Sequence, residues 1–144
     1  MAERPDACAR ARPGLHLPGR YTRTVAVTLG HIVFDCSDPR ALAHFWSAAL
    51  DRAVDDGASE FFASIDDRVA ERPSWFFIKV PEGKAGKNRL HVDVTAEDRA
   101  REVERLAALG AVRLADHAEW GAEWSVMQDP EGNEFCVGQR QAAD

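Results

Sequence analysis

A strand-like run, His31-Ile32-Val33-Phe34-Asp35, returns later in the chain as His91-Val92-Asp93-Val94-Thr95, and each copy leads into a helix. Ser37-Asp38-Pro39 supplies the first helix with a cap and a proline in its first turn, and Thr95-x-x-Asp98 has the form of a capping box for the second. Leu42, Phe45, Trp46, Ala49 and Leu50 recur at helical spacing in the first helix. Ala100, Val103, Leu106 and Ala107 do so in the second, with Gly110 as its stop. Strand-like runs follow both helices, at residues 52–54, 61–65 and 75–80 and again at 111–115, 123–128 and 134–137. An internal repeat constrains the fold more than any local propensity does. The chain reads as two tandem βαβββ modules, about 25–80 and 89–139, joined by a polar loop. Pairing their sheets into one curved, cup-shaped mixed sheet with both helices outside gives an α+β fold and a single domain over residues 25–140.

The last two runs are joined by Asp129-Pro130-Glu131-Gly132-Asn133. Proline fixes φ there, glycine supplies a positive φ, and Asp and Asn bond locally to the backbone, so the segment reads as a hairpin turn.

Alternation along the strands sorts side chains by face. Ile32, Phe34 and Cys36 share one face of the first strand, with Leu90, Val92 and Val94 as their counterparts in the second module. These apolar faces are expected under the helices. His31, Val33 and Asp35, and their counterparts His91, Asp93 and Thr95, then point into the cup. A concave face that collects a His and an Asp from each module is a candidate ligand or metal site. Trp75, Trp120 and Trp124 are candidates for lining the cup or for core packing, and Lys84, Lys87 and Arg89 form a basic stretch at the join between modules.

Composition removes several classes of function. A net charge of −6 argues against nucleic acid as the main partner. No apolar run reaches the length of a membrane span. Three cysteines, Cys8, Cys36 and Cys136, make neither a CxxC motif nor an even framework, which fits a reducing cytoplasm. Residues 1–24 carry five arginines and three prolines without an apolar stretch, and read as a disordered or loosely attached leader.

Three segments carry a resemblance to a known family: His31-x-x-x-Asp35-Cys36-x-Asp38-Pro39, Lys87-Asn88-Arg89-Leu90-His91-x-Asp93, and Asp129-Pro130-Glu131-Gly132-Asn133-Glu134-Phe135-Cys136. With the paired modules they resemble the vicinal oxygen chelate superfamily, in particular its glyoxalase-like branch. That superfamily also holds bleomycin-resistance proteins, fosfomycin-resistance enzymes and extradiol dioxygenases. The resemblance covers about residues 25–139 and implies a small-molecule ligand and a homodimer. Whether the cup closes within one chain or by strand exchange between two is left open.

The resemblance also implies metal ligands on the first and last strands of each module. The first-strand positions fall on His31 and His91. The last-strand position of module one falls at about Ile78, which ligates nothing, and that of module two falls on Cys136, where the family usually has Glu. Glu134 lies on the same face as Cys136, roughly 7 Å away along a strand. Three readings follow: His31, His91 and Cys136 hold a divalent metal (Zn, Ni, Mn or Fe); Glu134 completes the set with the two histidines; or the cup binds an organic ligand without metal, as the bleomycin-binding type does. With a metal, the implied chemistry is lyase or isomerase, or with iron dioxygenase, with Asp35, Asp93 or Glu134 as the proton-transfer carboxylate. Ile78 and Trp124 are the expected pocket residues.

Overall fold

The computed structural model describes residues 27, 29–66 and 72–141, and the arginine-rich segment 1–24 lies outside the described residues. The first module runs β1 (His31–Cys36), α1 (Pro39–Leu50), β2 (Phe62–Ile65) and β3 (Ser74–Lys79). The second runs β4 (Val92–Ala96), α2 (Arg99–Ala108), β5 (Val112–Glu119), β6 (Ala122–Gln128) and β7 (Glu134–Gln139). The α+β class and the tandem arrangement follow the sequence repeat. The sheet is divided in two: a three-stranded one in the order β1-β3-β2 and a four-stranded one in the order β4-β7-β6-β5. Each first strand pairs in parallel with the last strand of its own module, β1 with β3 and β4 with β7.

Residues 52–54, expected as a strand, form none. Asp51 closes α1 in the left-handed region at φ 53, and the Arg52 N–H donates to the Ser47 carbonyl, so the chain leaves the helix turning. The Asp55 N–H donates to the Ser64 carbonyl at 2.9 Å, the Ser64 hydroxyl to the Asp55 carboxylate at 2.6 Å and Arg52 to the Ile65 carbonyl at 3.4 Å, which tie this segment to β2 without a ladder. The first module therefore lacks the strand that corresponds to β5.

Both helices start where their aspartates place them. The Asp38 carboxylate accepts from the Ala41 N–H at 3.1 Å and the Asp98 carboxylate from the Arg101 N–H at 3.0 Å. Pro39, Leu42, Ala43, Phe45 and Trp46 form the buried stripe of α1, and Val103 and Leu106 that of α2. The two modules share one core. Trp46 of α1 lies 4.9 Å (ring centroids) from Trp75 in its own sheet and 5.0 Å from Phe135 on β7 of the other module. Arg105 of α2 donates to the Ala48 and Ala49 carbonyls of α1, both at 2.9 Å, and so joins the helices.

The turn between β6 and β7 is the second link between modules. Asp129, 2% exposed, accepts from the backbone N–H groups of Glu131 and Asn133, from the Asn133 amide and from the Trp46 indole N–H at 3.2 Å. Glu131 reaches the junction of β1 and α1, where one carboxylate oxygen accepts from the Ser37 N–H (3.0 Å), the Ser37 hydroxyl (2.7 Å) and the Asp38 N–H (3.0 Å). Gly132 takes φ 84 in this turn, a conformation that a β-carbon disfavours.

Candidate functional site

Burial alternates along the first strand of each module as the pleat requires. Ile32, Phe34 and Cys36 turn toward the helix, whereas His31, Val33 and Asp35 are exposed. In β4 the apolar Val92 and Val94 are the more buried residues and Asp93 and Thr95 the exposed ones. Leu90 departs from the pattern: it precedes β4 and is 74% exposed, because the ladder to β7 begins only at Val92.

The open face of the four-stranded sheet forms the floor of a cavity of about 550 Å³. Register fixes what meets there. Asp93 pairs with Cys136 and Thr95 with Gly138 across β4 and β7, while Val126 pairs with Cys136 and Trp124 with Gly138 across β6 and β7. His91, at the entrance to β4, joins them. Its Nε2 lies 3.2 Å from a carboxylate oxygen of Asp93, and one donor atom each of His91, Asp93 and Cys136 fall within 4.8 Å of one another. An imidazole nitrogen, a carboxylate oxygen and a thiol sulfur make a donor set suited to zinc or a similar divalent transition metal. Burial pushes the Cys136 thiol up to about 11, and the neighbouring Asp93 carboxylate, which accepts its hydrogen bond, adds to the shift.

The other candidates lie elsewhere. His31 is on the open face of the three-stranded sheet, stacked on Phe76 with ring centroids 4.2 Å apart, and Ile78 is on that same face beside Phe62. The structure thus separates His31 and Ile78 from the cavity that holds His91, Cys136 and Trp124. Asp35 and His91 both line a smaller cleft of about 260 Å³ between the two modules. Glu134 lines the large cavity on the same face as Cys136 but is already engaged. It accepts from the Asn88 N–H at 3.1 Å and pairs with Lys84 at 3.3 Å. The Asn88 N–H bond is the main cause holding its carboxyl below the usual range, with Lys84 assisting. Trp75 is core, 5% exposed between Phe34 and Trp46, whereas Trp124 walls the cavity.

Sequence reasoning placed Thr95 on the cup face but missed Val126 and Gly138 as cavity residues. The signal was present, since alternation from Trp124 and Cys136 puts both on the open face. Lys87 also lines this cavity, which gives one member of the basic stretch a place at the site.

Two tandem strand-helix-strand modules, each with its first and last strands parallel and one open sheet face, define a protein of the vicinal oxygen chelate class. Residues 31–138 match the model of the family described as a glyoxalase-like domain, and the chain belongs to that family. No curated protein matches the sequence. Among solved structures, it is similar to a glyoxalase/bleomycin resistance protein/dioxygenase family enzyme from Burkholderia phytofirmans PsJN, at 16% identity and a TM-score of 0.66, over 78% of this chain and 98% of that one. It is similar to the fosfomycin resistance protein FosX from Mesorhizobium loti at 14% identity and a TM-score of 0.61, over 80% of this chain and 93% of that one. A glyoxalase-related enzyme from Fulvimarina pelagi is similar at 14% identity and a TM-score of 0.61, over 78% and 88%. Likeness at these identities carries the fold and not the reaction.

Proposed function

We propose that this protein binds a small molecule on the open face of β4, β7 and β6, and that His91, Asp93 and Cys136 hold a divalent metal there. The observation that carries this reading is the convergence of three different donor types within 4.8 Å on the floor of a 550 Å³ cavity. The donor set fits: imidazole and thiolate favour zinc-like ions, and Asp93 supplies the negative charge that the expected Glu would have brought. Of the sequence readings, this one keeps His91 and Cys136 and substitutes Asp93 for His31.

When bound, such an ion supplies Lewis acidity toward a substrate oxygen, the basis of lyase or isomerase chemistry in this fold. The chain's own residues then divide the remaining work. Asp93 orients the His91 ring through their 3.2 Å contact. Val126 and Trp124 make the wall apolar and limit water. Glu134, held ionised by Asn88 and Lys84, sets the charge of the site and is a weak proton acceptor. Asp35 lines the smaller cleft that it shares with His91 and not the ligand cavity.

The open face of the three-stranded sheet carries exposed Val33, Phe62 and Ile78, with His31 stacked beside them. This apolar patch supports a homodimer that covers it with a second copy.

The test is zinc binding by protein purified without a histidine tag. One ion per chain is expected, lost in His91→Ala and in Cys136→Ser. Wild-type protein that takes up no zinc, or variants that take up as much as wild type, would leave the metal-free ligand-binding reading in its place.

A further inference from the structure

Packing between the two modules is incomplete on the helix side of β4. A crevice of about 350 Å³ lies there between α1 and α2. Trp46, Ala49 and Leu50 of α1, Leu106 of α2, and Val94 and Ala96 of β4 line it. It is separate from the ligand cavity, which lies across the sheet on the face of Asp93 and Cys136. Trp46 and Leu106 are buried, but Ala49, Leu50, Val94 and Ala96 pack on the same core and stay only partly covered. Protein interiors normally close to the density of an organic crystal. Here two of the lining residues, Ala49 and Ala96, are too small to fill the space.

The chemistry of the lining selects what would fill it. Trp46 spends its indole N–H on Asp129, so it offers the crevice an apolar ring. Glu102 is the single charged side chain among the described residues that line the crevice. It pairs with Arg105, whose guanidinium also donates to the Ala48 and Ala49 carbonyls. A ligand carboxylate would therefore meet Glu102 with the nearby arginine already committed, and a ligand ammonium would lie beside Arg105. A hydroxyl avoids both repulsions and can donate to the Glu102 carboxylate. The volume falls at the low end of the roughly 300–1,000 Å³ typical of ligand sites, which suits a single aliphatic chain. Apolar walls hold water poorly and gain dispersion contacts from an apolar occupant.

We propose that this crevice is a second binding site, for a neutral aliphatic molecule with one hydroxyl, its tail between α1 and α2 and its head at Glu102. The site stands independently of the metal reading, because His91, Asp93 and Cys136 do not line it.

1-Octanol is the probe, titrated into the full chain by calorimetry, with octanoate and octylamine as comparators. One molecule of octanol per chain is expected, bound more tightly than either charged analogue. Ala49→Leu and Ala96→Val add methyl groups where the tail would lie. Leucine suits a helix and valine a strand, so both variants are expected to fold, which far-ultraviolet circular dichroism checks. Each is expected to weaken octanol binding about tenfold or more, with zinc uptake as in wild type. Trp124→Ala, in the wall of the ligand cavity, is expected to leave octanol binding unchanged. Wild-type protein that binds no octanol, folded Ala49→Leu and Ala96→Val proteins that bind it undiminished, or octanoate bound as tightly as octanol would each overturn the site. So would loss of octanol binding in Trp124→Ala, which would put the alcohol in the ligand cavity instead.

Discussion

Two carboxylates in the β6–β7 turn illustrate opposite ways of placing a charge. Burial pushes the Asp129 carboxyl above its ordinary value, although Asn133, Trp46 and Glu131 all donate to it and pull the other way. Burial acts upward on Glu131 too, but the donors from Ser37 and Asp38 outweigh it and bring that carboxyl below its ordinary value. The signs for stability therefore differ. Glu131 stabilises the fold above its ordinary value of 4.5, and this is lost as pH falls through the lower folded value. Asp129 favours the fold most when protonated, a contribution lost as pH rises through its elevated folded value. Glu131→Gln is expected to destabilise by about 1 kcal/mol at neutral pH, because three charge-assisted bonds at a half-buried site become neutral ones. Urea titrations of both proteins at pH 7 and near pH 3.5 should show the difference shrinking at the lower pH. Asp129→Ala is expected to cost more, about 2–4 kcal/mol, since it leaves the buried Trp46 indole N–H and the turn's N–H groups without an acceptor. Chemical denaturation checks this, and a loss under 1 kcal/mol would mean that water replaces the carboxylate.

At the scale of elements, the β5–β6 hairpin sets local stability against a surface feature. Trp120 takes φ 52 in its turn, a conformation that Asn or Gly adopts at less cost. Trp120→Asn is therefore expected to raise stability by about 1 kcal/mol, read as a higher thermal midpoint. A lower midpoint would show that the exposed indole contributes more through its stacking on Trp124 than the turn strain removes. Element boundaries were largely legible in the sequence, because Asp38, Gly110 and the 129–133 turn each act within a few residues; the capping box expected from Thr95 gives way to Asp98 as the cap of α2, because Thr95 is still paired in β4. The segment at 52–54 was not legible. Its composition allows a strand, but strand formation needs a partner ladder, and the left-handed Asp51 sends the chain elsewhere. Trp75 and Trp124 show the same division. Both stand on strands beside a serine, and only their registers put one in the core and the other on a cavity wall.

At the scale of the molecule, the helical faces of both modules close on one core through Trp46, Phe135 and Arg105, and each sheet keeps an open face. The open face of the three-stranded sheet is expected to bury itself against a second copy. Wild-type protein should sediment as a dimer, and Phe62→Asp with Ile78→Asp should sediment as a monomer with unchanged far-ultraviolet circular dichroism. Wild-type protein that sediments as a monomer at micromolar concentration would rule this out.

The sequence by itself determined the two modules, the caps and turns that bound them, and the face on which each strand residue falls, because these depend on contacts a few residues apart and on a period of two. It also determined that His91 and Asp93 would point away from the helices, whereas Cys136 read by itself as an ordinary buried residue. The tertiary structure alone decided that these three meet, and that His31, the repeat-mate of His91, does not join them. Repeat symmetry makes the two histidines equivalent within their modules, but distance is set by how the modules dock. Docking was decided by an aromatic core that packs α1 against β7 and leaves the two open faces on separate sheets.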